Sequence, residues 1–151
     1  MRRNVITVAV TLCALVMALT GCKELSRKAL SSAGRSQLEV EVEKYNDELP
    51  EAVAEGLLVT EVAVSGDRVI YKCKMSEDMY DIDSMRDNLN GAKKGIMDSF
   101  RDGMDADLRE FLQAIVDEDM ELVYRYYGSS SGKRADVVIS TDELSRLLRY
   151  Y

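Results

Sequence analysis

Three kinds of side chain in this 151-residue chain could do chemistry: thiols, crowded carboxylates and clustered tyrosines. The cysteines are Cys13, Cys22 and Cys73, and the chain contains no histidine and no tryptophan. Without histidine there is no general base titrating near neutrality, no imidazole for zinc, and no Ser-His-Asp or Cys-His arrangement. The expectation is therefore a protein that is not an enzyme and needs no cofactor. Cys22 closes a short apolar run. Arg2 and Arg3 supply a positive start, Val5 to Leu19 carry no charge, and the small residues Thr20 and Gly21 precede the thiol. A run this short, with these flanks, is laid out as a cleavable secretory signal rather than a membrane span.

Leu19-Thr20-Gly21-Cys22 resembles the lipobox of bacterial lipoproteins. In that family signal peptidase II cuts before the cysteine, whose sulfur carries a diacylglycerol and whose new amino group is acylated. The resemblance implies a cleaved signal peptide over residues 1–21, a lipidated tether over 22–35, and a single domain over 36–151. Cys22 is the expected lipidation site, and the bilayer is then a partner through it. Lys23 stands where an aspartate would favour inner-membrane retention, and no run of acids follows to favour surface export. The family pattern thus implies the outer membrane of the cell envelope, on its periplasmic face. The competing readings are an ordinary signal peptide with a chance cysteine, or an uncleaved anchor.

Loss of residues 1–21 removes Arg2, Arg3, Cys13 and no acid, leaving 18 Lys+Arg against 27 Asp+Glu, a formal charge of −9. That balance excludes sequence-independent nucleic-acid binding, which needs clustered cations to displace counterions. It argues equally against a broad basic membrane-docking face and mainly supports solubility. The tether is the exception. Residues 23–35 hold four cations and one acid, which suits either anionic headgroups or a plain soluble spacer.

These residues must be positioned by a small set of elements. Residues 36–53 mix two patterns: Leu38 to Glu43 alternate, but Leu38, Val42, Tyr45 and Leu49 share one helical stripe, and the helix is favoured. Pro50 should end it. Leu57–Val64 and Arg68–Met75 read as a hairpin turned by Ser65-Gly66-Asp67. In the second strand Val69, Tyr71, Cys73 and Met75 share the dry face. Residues 84–115 read as two helices broken near Asp102-Gly103, with Asp83 or Ser84 as cap. A second hairpin runs from Met120 to Ile139 around Gly128-Ser-Ser-Ser-Gly132. Ser140-Thr-Asp-Glu143 is a capping box that opens a last short helix.

This order predicts an α+β fold: two helix-plus-β-hairpin halves forming a four-stranded, mainly antiparallel sheet with helices packed on one face. Asn46-Asp-Glu-Leu-Pro50, Val64 to Tyr71, Tyr124 to Gly128 and Val137 to Leu144 are similar to stretches of small lipoproteins of Bacteroidetes-type bacteria. That similarity implies the fold and no activity.

Each candidate chemistry has a plain competitor. Cys73, the last thiol after lipidation, reads as a small buried hydrophobe, with an intermolecular disulfide as the alternative. Residues 77–121 hold 14 acids and 5 bases. Asp78, Asp81, Asp83, Asp102, Asp105 and Asp107 could offer oxygens to calcium, but their spacing is not that of an EF-hand, and a solvated face explains them. Asp117 and Asp119 could form a hydrolytic carboxylate pair, although paired acids are common in an acidic chain. Tyr124, Tyr126 and Tyr127 are expected two inward and one outward beside Arg125, for packing or for recognition. Together these features predict a membrane-anchored lipoprotein with a small acidic binding or interaction domain and an envelope protein as partner. The alternatives are a carboxylate-dependent hydrolase of envelope polymer and a structural or stress lipoprotein without a ligand.

Overall fold

The structure, a computed structural model, describes residues 35–151. The leader, Cys22 and the tether up to residue 34 lie outside the described residues. Helix α1 (Arg35–Asn46) comes first, then strands β1 (Glu51–Ala54), β2 (Leu57–Ser65) and β3 (Arg68–Met75). Helices α2 (Ile82–Asp87), α3 (Leu89–Asp102) and α4 (Ala106–Asp117) follow. The chain ends with β4 (Glu121–Gly128), β5 (Arg134–Ile139) and α5 (Thr141–Leu148).

The five strands lie in the order β1-β2-β3-β4-β5. All neighbours are antiparallel except β3 and β4, which are parallel from Arg68↔Glu121 to Met75↔Gly128. This corrects the expected four-stranded, mainly antiparallel sheet: the sheet has five strands and is mixed. The physical reason is the connection. A run of three helices between β3 and β4 is a crossover, and a crossover brings the chain back to begin its next strand at the same end. The additional strand, β1, begins directly after Pro50, where the expected helix was to end; α1 already stops at Asn46.

The alternation of β3 holds in space. Val69, Tyr71, Cys73 and Met75 join a single core with the inward residues of β2, β4 and β5. Onto that face pack Leu38, Val42 and Tyr45 of α1, Ile96 and Phe100 of α3, Leu108, Phe111, Leu112 and Ile115 of α4, and Leu144 of α5. Tyr71 stacks on Tyr124 with ring centroids 5.4 Å apart and planes at 19°, an offset geometry that aromatic quadrupoles favour. On the opposite face Ile70 and Val123, paired across β3 and β4, are buried as well and stand apart from the core cluster.

The helical stretch breaks twice rather than once. Asn88, at φ −131° and ψ 45°, separates α2 from α3, and Gly103 ends α3. The cap of α2 is Asp81, neither Asp83 nor Ser84: its carboxylate accepts from Asp83 N at 3.1 Å and Ser84 N at 3.2 Å. The capping box at Ser140 and Glu143 forms as the sequence predicts, satisfying two amides that the helix leaves open.

β1 covers only the first part of β2, pairing Glu51 with Val59 and Ala54 with Leu57. Beyond it, Asn46 at the end of α1 substitutes for a strand. Its Nδ2 donates to Val62 O at 2.6 Å, and Val62 N donates to its Oδ1 at 2.8 Å. One carboxamide can do this because it carries a donor and an acceptor side by side.

Candidate functional site

Parallel pairing of β3 and β4 brings the C-terminal ends of both strands to one end of the sheet. Glu77 leaves β3 there and meets the β4–β5 loop. Its carboxylate accepts from the backbone N–H of Ser130 at 2.8 Å and of Ser131 at 2.7 Å. Both serine hydroxyls donate to it as well. A Cβ at Gly128 would sit 2.5 Å from Glu77 Cδ, so a larger residue there would push the carboxylate out of this position. Four donors stabilise the ionised form, the Ser130 hydroxyl foremost, and hold the Glu77 pKa down at about 2. Beside it Lys133 pairs with Asp83, which raises the lysine above its ordinary range. Glu77, Met79, Asp81, Asp83 and Lys133 line a shallow recess of about 200 Å³.

Chemically this end of the sheet is a latch. Glu77 is ionised and its acceptor sites are engaged, so it cannot serve as a base near neutrality. The acids of the calcium reading are dispersed. Asp81 caps α2, Asp105 caps α4 by accepting from Leu108 N at 2.8 Å, and Asp107 lies in the first turn of α4. Asp102 ends α3 on the surface, and Asp78 is exposed. Among the described residues no group of three carboxylates or thiols is placed to hold a metal ion. Asp117 accepts from Gln113 Nε2 at 2.8 Å, whereas Asp119 sits in a left-handed turn at φ 52°. Cys73 is wholly buried, with its thiol directed at Tyr71 O at 3.9 Å.

The second candidate surface is the other face of the sheet, where Ile70 and Val123 are buried and the charged and tyrosyl side chains around them are partly exposed. Tyr124 and Tyr126 are buried in the core, and Tyr127 points the other way, its hydroxyl 2.9 Å from Thr60 Oγ1. Register sets the outward side chains in transverse rows. Ala63, Ile70, Val123 and Val138 form an apolar row, and Glu61, Lys72, Arg125 and Asp136 a charged one. The charged row is tied at both ends, Lys72 to Glu61 at 2.6 Å and Arg125 to Asp136 at 3.0 Å. The Asp136 hydrogen bond raises the Arg125 pKa further. Glu77 and this row arrangement were missed in the sequence. The hydroxyl-rich loop at 129–131 was the only local sign of the first, and no local sign marks the second, since both depend on β3 lying against β4.

No protein-family model and no curated protein matches the chain. Its fold is similar to that of a proposed secreted protein from Pseudomonas aeruginosa, known from a crystal structure, with a TM-score of 0.54 and 18% identity. The match covers 75% of this chain and 99% of that one. At this identity the likeness is one of fold.

Proposed function

We propose that the protein is an exported lipoprotein, held by acylated Cys22 in the periplasmic leaflet of the outer membrane, whose α+β domain is a non-catalytic interaction module with an envelope protein as partner. The observation that carries this reading is the ordered set Arg2-Arg3, Val5–Leu19 and Leu19-Thr20-Gly21-Cys22. Charge, apolar length, small residues and thiol stand in the positions that export and lipidation require. The sharing of fold with a proposed secreted protein is in keeping with it.

The domain contributes a further argument. A hydrolase built on carboxylates needs one acid whose pKa is pushed up, so that it is protonated near neutrality. Among the described residues, the carboxyls of Glu77, Asp98 and Glu143 depart from ordinary behaviour, and each moves down. Glu77 holds a loop, Glu143 caps a helix, and Asp98 pairs with Lys94 and Arg101 along α3. Globomycin with labelled palmitate tests the anchor: precursor accumulation and label on the chain are expected. Unchanged processing without label sinks the proposal.

A further inference from the structure

The domain is acidic as a whole, but its charge is segregated. Residues 36–151 hold 14 Lys+Arg and 26 Asp+Glu, a net −12. The opposite face of the sheet runs against that trend. Its charged row, Glu61, Lys72, Arg125 and Asp136, sums to zero, and Arg68 is matched by Glu121 at 2.9 Å. One row remains: Leu58, Lys74, Tyr127 and Arg134, aligned across four strands, with Arg134 sharing the Asp136 carboxylate of the next row at 3.4 Å. It contains two cations, an aromatic ring and no acid, so the whole surplus of the face, +2, lies there, against −14 on the rest of the domain.

We propose that this row is where the domain rests on the anionic bilayer to which its tether holds it. The inference depends on the lipid anchor proposed above. Strands about 4.8 Å apart place Lys74 and Arg134 roughly 10 Å from one another, close enough to act on one patch of headgroups. Tyr127 between them has the amphipathic ring that settles at headgroup level. The acidic helical layer lies behind the sheet, about a Debye length from a surface that touches the row, so its repulsion is largely screened. The tether carries +3 over residues 23–35, and 13 residues reach at most about 45 Å. The bilayer is therefore the anionic surface within reach, and the two basic features address it together. A chain whose overall charge opposes membrane docking in this way presents a narrow edge that favours it.

The test uses the full lipidated protein in vesicles of phosphatidylcholine alone, or with about one-third phosphatidylglycerol. Lysines are labelled with an amine-reactive reagent and quantified by mass spectrometry. Lys74 labelling is expected to fall about tenfold on the anionic vesicles, in line with two surface cations orienting the domain. Lys94, exposed on α3, is expected to label equally on both. Salt near 1 M should restore Lys74, since it cuts the Debye length to about 3 Å. Arg134→Glu, which neutralises the row and leaves Lys74 as reporter, should abolish the difference. Equal Lys74 labelling on both vesicles, with the protein retained by each, overturns this inference alone. Failure of the protein to stay with neutral vesicles overturns the anchor, and the inference with it.

Discussion

Asn46 is the smallest change with the largest expected consequence. Its carboxamide makes two hydrogen bonds to the backbone of Val62, a residue with no exposed surface, where β2 has run past the end of β1. Asn46→Ala removes both partners and leaves an amide and a carbonyl unpaired on a half-buried edge. A net hydrogen bond contributes about 1 kcal/mol, and an unpaired buried group costs about 1–3 kcal/mol. Water reaches part of this edge, so the loss should be about 2–3 kcal/mol. For a domain of this size that lowers Tm by roughly 8–12 °C. Urea and thermal unfolding followed by circular dichroism measure it, with the urea m-value expected to stay unchanged because the same surface is exposed. Asn46→Asp is the sharper control. It keeps an acceptor for Val62 N–H but turns an ionised oxygen toward the Val62 carbonyl, so it should not rescue. An alanine variant within about 0.5 kcal/mol of the parent, or full rescue by aspartate, would refute the strand-substitute argument.

Two further outcomes follow from single residues. Glu77 has its folded pKa lowered from 4.5 to about 2, so its contribution to stability is present above the unfolded value and lost as pH falls through about 2. The stability difference between the parent and Glu77→Gln should therefore shrink across that window and vanish below it; a difference that stays constant from neutral pH to pH 2 contradicts the latch. Cys73, with no exposed surface, should ignore a thiol reagent in the native mature protein and react fully in denaturant; Cys73→Ser should cost about 1–3 kcal/mol by burying a hydroxyl, measured by urea unfolding.

Much of the fold was legible because local patterns have local causes. The alternation of Val69, Tyr71, Cys73 and Met75 marks a strand with one dry face, and the pair Ser140 and Glu143 marks a helix start, whatever surrounds them. The failures share a different cause. β1 has four residues, fewer than a period-2 pattern needs to stand out beside the stripe of Leu38, Val42 and Tyr45. Asp81, Asp83 and Ser84 are all capping types within one turn, and only the extended backbone of Asp81, at φ −104° and ψ 103°, decides among them. The partner of β3 is not written in β3 at all. It depends on a crossover of 45 residues between Met75 and Glu121. The Glu77 latch and the Lys74 row hang on that pairing, so neither is written in any one stretch of the chain.

The β3–β4 pairing also fixes an order of assembly. Arg68 must wait for Glu121, 53 positions later, before the central ladder can close, and contacts so distant in sequence slow folding. While it waits, the β1–β3 meander is complete and β3 is a bare edge, the kind of template on which stray chains stack. Arg68, Lys72 and Lys74 put positive charge on every second position but one of that strand, and like-charged copies repel. The same lysines that later face outward thus act first as gatekeepers, keeping a half-made sheet from recruiting its neighbours.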